Sequence, residues 1–407
     1  MTQNWWTAII LIILLSGALR QNTMLLVGLL LALVGGASHI WARYCLYSVT
    51  YQRRFSRTKL FFGEETDLAM EVVNAKPLPL AWLITVDEFP SALTMVTGEV
   101  FRTGNPRRRV LVNTLSLRWY ERVTRHYRLQ ASRRGVWSFG PVQLSSGDIF
   151  GFSIRRQALE ETQTVVVYPK LIPIAALGLP PMHPFGDSGT QRRVLEDPLR
   201  LMGTREYVTG DSYRHIHWKA TAHRQELQTK VFEPSASRPL AVFLNLRTSR
   251  YINEGIDPVA LEFSISVAAS VAHWGWQQGH AIGLYTNSVI SESRERIHLR
   301  PRNEPEQLHA ILEALARTEP DGRWSLNSVL QLEGNQLRPG STLIAITTIV
   351  YKGVIETLLE LAQRQYSVTL IVISKTPNRD LQIPGVRIYH LEQQEAWDEL
   401  DSLVLAA

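Results

Sequence analysis

Cysteine is all but missing. Cys45 stands alone in 407 residues, which rules out an internal disulfide and any zinc site built on thiolates. Asp and Glu are absent from the first 50 residues, where Arg20 and Arg43 carry the formal charge. The chain also lacks a nucleophile elbow, a Walker phosphate loop, a dinucleotide-binding glycine pattern and an H-E-x-x-H helix, so no ready-made catalytic or cofactor motif presents itself. Low-complexity runs and internal repeats are lacking too. Charged residues at 20% and hydrophobic ones at 45% are the proportions of a folded protein, which excludes a disordered chain. The length leaves room for two or three domains, each able to bury a core.

Two apolar runs open the sequence, Trp5 to Leu19 and Met24 to Trp41. A membrane-spanning helix wants about 20 apolar residues, and the tight Arg20-Gln21-Asn22-Thr23 link leaves room only for a hairpin. The pattern predicts a two-helix transmembrane hairpin over residues 1–45, with helices at about 3–19 and 24–42. A signal peptide is the rival for the first run, but it would need a positively charged start. Trp5, Trp6, Trp41, Tyr44 and Tyr47 lie where interfacial aromatics belong. Beyond the second run come Arg43, Arg53, Arg54, Arg57 and Lys59. By the positive-inside rule these place the soluble region in the cytoplasm of a cell whose inner or plasma membrane holds the hairpin, within reach of anionic lipid. Cys45, beside this segment, reads as a buried thiol, with a palmitoylation site as the alternative.

Residues 46–170 read as an all-β, sandwich-like domain: Leu68–Val73, Trp82–Val86, Arg109–Leu117, Tyr127–Ala131 and Thr164–Tyr168 are short runs of strand residues parted by turns. This stretch is basic, with 18 Lys and Arg against 11 Asp and Glu over residues 51–170. Arg107-Arg108-Arg109 and the alternating Arg118, Arg122, Arg125 and Arg128 predict a basic strand face. No recognisable nucleic-acid-reading element gathers that charge, so nucleic acid is not an expected partner. Residues 171–238 are a Pro/Gly-rich connector followed by a dense motif. From Pro239 strands alternate with helices (helices at Pro258–Gln278, Pro305–Thr318, Val354–Gln365 and at the C-terminus), and the apolar strands predict a mainly parallel, doubly wound α/β sheet over 239–407. That part is acidic, 14 Lys and Arg against 19 Asp and Glu.

The motif occupies 203–233, GTREYVTGDSYRHIHWKATAHRQELQTKVFE. It mixes Arg205, Glu206, Asp211, Arg214, Lys219 and Arg224 with Tyr207, Tyr213, Ile216, Trp218 and Phe232. Gly210-Asp211 reads as a turn with Asp211 capping a helix over Ser212–His223, followed by a strand from Leu227. The spacing of Arg205-Glu206-Tyr207, Gly210-Asp211, Arg214 and Ile216-His217-Trp218-Lys219 closely resembles the signature of the domain of unknown function 58 family. His223, with Arg224 one place on, departs from the Arg that the family carries directly after Ala222. Arg133-Arg134-Gly135, Gly140-Pro141 and Gly147-Asp148-Ile149-Phe150-Gly151-Phe152 also resemble the run that precedes that signature. The resemblance implies a membrane-anchored protein with a von Willebrand factor A-like domain. It also implies partnership with a MoxR-type AAA+ ATPase or a transglutaminase-like membrane protein.

Folds of that kind often hold Mg²⁺ where the first strand ends, on an Asp-x-Ser-x-Ser run. Here the corresponding residues are Asn245, Arg247 and Ser249, and the later loop Ile346–Ile349 has no Asp. Mg²⁺ depends on carboxylate ligands, so these read as degenerate metal-site positions and no metal or other cofactor is expected. For the motif, one reading makes Arg205, Asp211, Arg214, Lys219 and Arg224 a docking surface. The other makes it an internal network in which Glu206 and Asp211 neutralise Arg205 and Arg214, with Trp218 anchoring the helix. The function expected is that of a non-enzymatic, membrane-tethered interaction protein working with the AAA+ ATPase. The alternatives are a structural component of an envelope-assembly or secretion complex, and a hydrolase using Asp211 and His217.

Overall fold

In a computed structural model, the described residues are 3–19, 21–151, 153–173, 196–208, 213–234, 239–249, 255–291, 293–319, 322–338, 340–364, 366–376 and 381–393. The chain divides into two compact units, residues 1–169 and 170–407.

The first unit begins with two helices, α1 (Gln3–Leu19) and α2 (Asn22–Tyr44). At 1.5 Å per residue, α1 is about 25 Å long and α2 about 35 Å. Among the described residues, only α2 is long and apolar enough to cross a hydrocarbon layer. The helices pack where Gly28 gives up its side chain: a Cβ there would lie 2.9 Å from Ile13. Leu11, Leu14, Leu26 and Leu33 point outward.

Twelve strands follow. They are β1 (Val49–Phe55), β2 (Lys59–Phe61), β3 (Glu65–Asn74), β4 (Leu80–Pro90), β5 (Leu93–Met95) and β6 (Val100–Arg102). Then come β7 (Arg108–Leu117), β8 (Arg122–Ala131), β9 (Gly135–Phe139), β10 (Val142–Gly147), β11 (Ile154–Leu159) and β12 (Gln163–Tyr168). They form sheets ordered β1-β3-β8-β5 and β11-β10-β4-β7-β6, with a third, β2-β12-β9. The period-two alternation of β3 and β4 turns one face of each inward. Leu68, Met70, Val72, Leu83, Phe89, Leu129, Phe139 and Leu144 meet in one core, which also takes in Cys45 and Leu46 just past α2. Cys45 is fully buried, its thiol donating to the Ala42 carbonyl at 3.1 Å. Inside that core lies a buried ion pair. Arg53 grips Asp87 through Nε at 2.8 Å and Nη2 at 3.0 Å, and the Tyr51 hydroxyl donates to the same carboxylate at 2.6 Å. The expected basic face is interleaved with acid: Glu71 lies between Arg54 and Arg122, and Arg128 faces Glu65 and Asp67.

The second unit holds a two-stranded antiparallel ribbon, β13 (Glu196–Glu206) with β14 (Gln228–Pro234), and between them the short helix α3 (Trp218–Arg224). Next comes the α/β sheet, from β15 (Pro239–Leu244), α4 (Pro258–Gln277), β16 (Ala281–Val289), β17 (Arg296–Arg302), α5 (Pro305–Arg317) and α6 (Leu326–Gly334). It finishes with β18 (Thr342–Thr347), α7 (Lys352–Gln363), β19 (Ser367–Ser374) and β20 (Val386–Glu392). The order is β17-β16-β15-β18-β19-β20, parallel except for the antiparallel edge strand β17. Strands β15, β16, β18 and β19 are buried on both faces because helices cover both, which is why their sequences run apolar without alternation. Alternate residues serve opposite sides: Ala241, Phe243, Leu343 and Ala345 meet α6 and α7, while Leu240 reaches α4 at Gly275, where a Cβ would come within 2.4 Å of it. The sequence expectation omitted β17 and α6. The expected C-terminal helix lies outside the described residues.

Candidate functional site

The motif unit is assembled by the ribbon. Arg205 pairs with Thr229 and Glu206 with Gln228, and the Tyr207 amide extends the ladder to the Leu227 carbonyl at 2.9 Å. The chain leaves β13, turns through a short 3-10 segment at Tyr213–His215, and returns to the ribbon at Ile216, which bridges to Thr229. His217 donates its backbone N–H to the Gln228 carbonyl at 2.8 Å, and its side-chain Nδ1 accepts the Ala220 N–H at 3.1 Å. His217 is thus the cap of α3. The helix begins at Trp218, six residues past the expected start at Ser212, because the Tyr213–His215 turn, the Ile216 bridge and the His217 cap come first. Thr221 ties the helix down, its hydroxyl accepting the Gln228 N–H at 3.0 Å. Gln225, in the left-handed region at φ +58°, ends it.

Seven residues do not make a helix stable in water by themselves, and α3 buries none of its side chains. Its attachment is the cap, the Thr221 bond and Ile216, which is only 4% exposed. Trp218 is not the anchor: it is 69% exposed, and Tyr213, stacked against Tyr207 at 6.0 Å, is 76% exposed. Arg205, Glu206, Arg214, Lys219 and Arg224 are exposed around them. Arg205 Nη1 donates to the Glu206 carbonyl at 3.0 Å. Gly210 and Asp211 lie outside the described residues, so any pairing of Asp211 does too. His217, the other half of the hydrolase idea, is committed through Nδ1 to capping a helix. Ile216 as the attachment point escaped sequence reasoning, although a single aliphatic residue among charged and aromatic neighbours was the available signal.

A second place is the C-terminal edge of the α/β sheet, between β15 and β18, where the strand order reverses and open sheets of this kind take their ligands. Asn245 follows β15 and is buried. Its Oδ1 accepts the Arg247 N–H at 3.1 Å and Asn287 Nδ2 at 2.8 Å; its Nδ2 donates to the Thr347 hydroxyl at 2.9 Å. The two backbone donors, Arg247 N–H to Asn245 and Leu246 N–H to Asn287 at 2.8 Å, fix which way both amides point. Arg247 is exposed and held by its Nε on the Gly322 carbonyl at 2.7 Å. Ser249 Oγ donates to the Gly255 carbonyl at 2.6 Å. These three line a cavity of about 310 Å³ with Ser325, Leu326, Ile349 and Tyr351. Its polar groups are neutral amides, hydroxyls and one guanidinium, with no carboxylate among the lining residues. Among the described residues no three His, Cys, Asp or Glu side chains converge anywhere. The arrangement suits hydrogen bonding and anion contact better than cation ligation.

Comparison with known proteins gives a family match that lies in the second unit. Residues 203–401 match the family described as "Protein of unknown function DUF58", which covers the motif and the α/β sheet. The uncharacterized protein YeaD of Bacillus subtilis (strain 168) is 26% identical over 244 residues, 60% of this chain and 57% of that protein. The match thus spans little more than half the length of that relative. Among solved structures, the CARDB domain of a Pyrococcus furiosus protein, in complex with di-metal ions, is 10% identical with a TM-score of 0.20, covering 30% of this chain and 87% of its own. The full-length major pilin SpaD of Corynebacterium diphtheriae is 9% identical with a TM-score of 0.22, covering 30% of this chain and 37% of its own. Likeness that slight carries no argument about function.

Proposed function

We propose that this chain, whose residues 203–401 are a DUF58 domain, is a non-enzymatic, membrane-tethered adaptor that docks an acidic protein surface through the outer face of α3. The observation that carries the reading is the exposure of Trp218 and Tyr213 among Arg214, Lys219 and Arg224. Large aromatics with Arg are the residues that dominate protein interfaces, and the cations would steer a partner of opposite charge. In this reading α1 and α2 form a membrane hairpin, α2 crossing the hydrocarbon layer in full and the shorter α1 packed against it, supported by the outward-facing leucines of both helices and the absence of acid from the first 50 residues. Arg43, Arg53, Arg54, Arg57 and Lys59 put the remainder in the cytoplasm. The α/β sheet is of the von Willebrand factor A-like kind, its metal positions replaced by Asn245, Arg247 and Ser249. The partner is a cytoplasmic MoxR-type AAA+ ATPase, taken from the family resemblance. Pull-down from membranes with the detergent-extracted full chain tests this. An ATPase should co-purify and be lost at least tenfold with Arg214→Glu/Lys219→Glu at unchanged thermal stability. Equal recovery with the charge-reversed protein would dismiss the α3 face.

A further inference from the structure

After β10, the turn at residues 148–151 is braced more firmly than a surface turn requires. Asp148 is buried. Its Oδ2 accepts the Phe150 N–H at 3.0 Å, its Oδ1 accepts the Ser153 N–H at 2.6 Å, and its carbonyl accepts Trp82 Nε1–H at 3.2 Å. Gly147 leaves the space these bonds need: a Cβ there would sit 2.1 Å from the Ser153 carbonyl oxygen. Gly151 turns the chain at φ +75°, where side chains are rarely accommodated. What this bracing holds out toward solvent is apolar. Ile149 is 59% exposed and Phe150 61%, and Ile154 at the base of the loop is exposed too. Phe152 lies outside the described residues.

The loop's place in the fold says what meets it. Helix α2 packs against β10 and β11. Cys45, directly after α2, lies close to Ser146, in the field of Arg155, and shares the core with Leu144 of β10. Ser146 and Arg155 are cross-strand partners one pair before the loop. The loop therefore lies beside the point where the long apolar helix ends. Tyr44, Tyr47, Arg43, Arg155 and Arg156 are exposed at that same end. Aromatics, arginines and bare aliphatics gathered at the end of an apolar helix match the composition of a bilayer interface.

We propose that the turn at residues 148–151 is a lipid-facing wedge: Ile149 and Phe150 enter the interfacial layer of the bilayer beside the end of α2, with Arg155 and Arg156 at the level of the lipid phosphates. The inference rests on α2 being a membrane span. The Asp148 clamp gives it a physical advantage, because a preformed loop loses little conformational freedom on insertion.

The test uses the full-length protein with Cys45→Ala and one reporting thiol, introduced by Phe150→Cys, Val27→Cys or Gln143→Cys. Each is labelled with an environment-sensitive fluorophore and reconstituted in 3:1 phosphatidylethanolamine/phosphatidylglycerol vesicles, with and without nitroxide-bearing lipids. Val27 reports the helix, and Gln143, exposed on β10, reports water. The expected result is blue-shifted emission from positions 27 and 150, with most of it lost to the nitroxide lipids, and little loss from position 143. Quenching at 27 with position 150 behaving like 143 overturns the wedge and leaves the membrane span standing. The same holds if position 150 is shielded from aqueous iodide yet untouched by nitroxide lipid, since a protein contact would then cover it. No quenching at either 27 or 150 removes the membrane reading and the wedge with it. Ile149→Cys replaces Phe150→Cys if the latter does not fold.

Discussion

Ile216→Ala and Trp218→Ala, two residues apart, should part company. Ile216 is almost wholly buried where the motif rejoins the ribbon, and truncating a buried Ile costs about 2–5 kcal/mol. Trp218 is 69% exposed. If a fully bared Trp offers about 200 Å², roughly a third of it, about 60 Å², is covered in the chain. At about 25 cal/mol per Å² that cover gives at most about 1.5 kcal/mol, and less once residual cover in the unfolded chain is allowed for. The other two thirds, about 140 Å², are available to a partner and amount to about 3.5 kcal/mol on the same scale. So Ile216→Ala should lower the unfolding transition of the detergent-extracted protein markedly and weaken binding only through misfolding. Trp218→Ala should leave the transition nearly in place and reduce partner recovery by more than tenfold. A Trp218→Ala protein that melts as early as the Ile216→Ala protein would refute the argument, because it would make Trp218 the internal anchor after all.

The remaining expectations concern the cores and the cavity. Calorimetric titration of the full-length protein with Mg²⁺ should show no saturable binding at the Asn245 cavity; micromolar binding that disappears in Asn245→Ala would overturn that. Arg53→Met should cost about 3–5 kcal/mol, because it leaves Asp87 buried without its cation, whereas Arg53→Met/Asp87→Leu should recover most of the loss. A single variant that melts like the parent would contradict this. Lys76, buried with its ammonium on Asn74 Oδ1 at 2.8 Å, has its pKa pushed down to about 8 by burial. An unfolded lysine holds its proton up to about 10.5, so the unfolded chain binds more protons between those values and stability should rise with pH across that window. The rise should be at most about 3.5 kcal/mol, counting about 1.4 kcal/mol per pKa unit. Lys76→Met should flatten it, and an unchanged pH slope in that variant would assign the effect elsewhere.

Much of the architecture was legible because its signals are local. The apolar strands of the α/β sheet announce burial on both faces, and the alternation of Leu68–Val73 announces a strand with one face inward. The resemblance over Arg205–Lys219 was also legible, and the family match over 203–401 agrees with it. What escaped depends on contacts between distant residues. Strand β17 reads as polar, IHLRPR, and becomes a strand because β16 offers it an edge. The start of α3 was misplaced because Asp211 has the propensity of a cap, whereas the bonds of Ile216 and His217 to the ribbon decide where helical geometry can begin. The exposure of Trp218 could not be read from composition, since Trp is ordinarily drawn inward.

The two candidate places in the second unit differ in what they have left to offer. At the sheet edge, Asn245 and Asn287 spend their amide groups on each other, on Thr347, on the Trp324 carbonyl and on backbone N–H groups. A hard cation entering there would have to displace bonds already made and would find no charge to compensate, while Arg247 stands nearby as a like charge. Around α3 the hydrogen bonds run inward to the ribbon, and the outer face keeps its aromatic and cationic side chains in water. Binding at α3 therefore removes apolar surface from water without breaking an internal bond, whereas binding a metal at Asn245 breaks several. That difference in cost is the physical ground for placing the proposed contact on the motif.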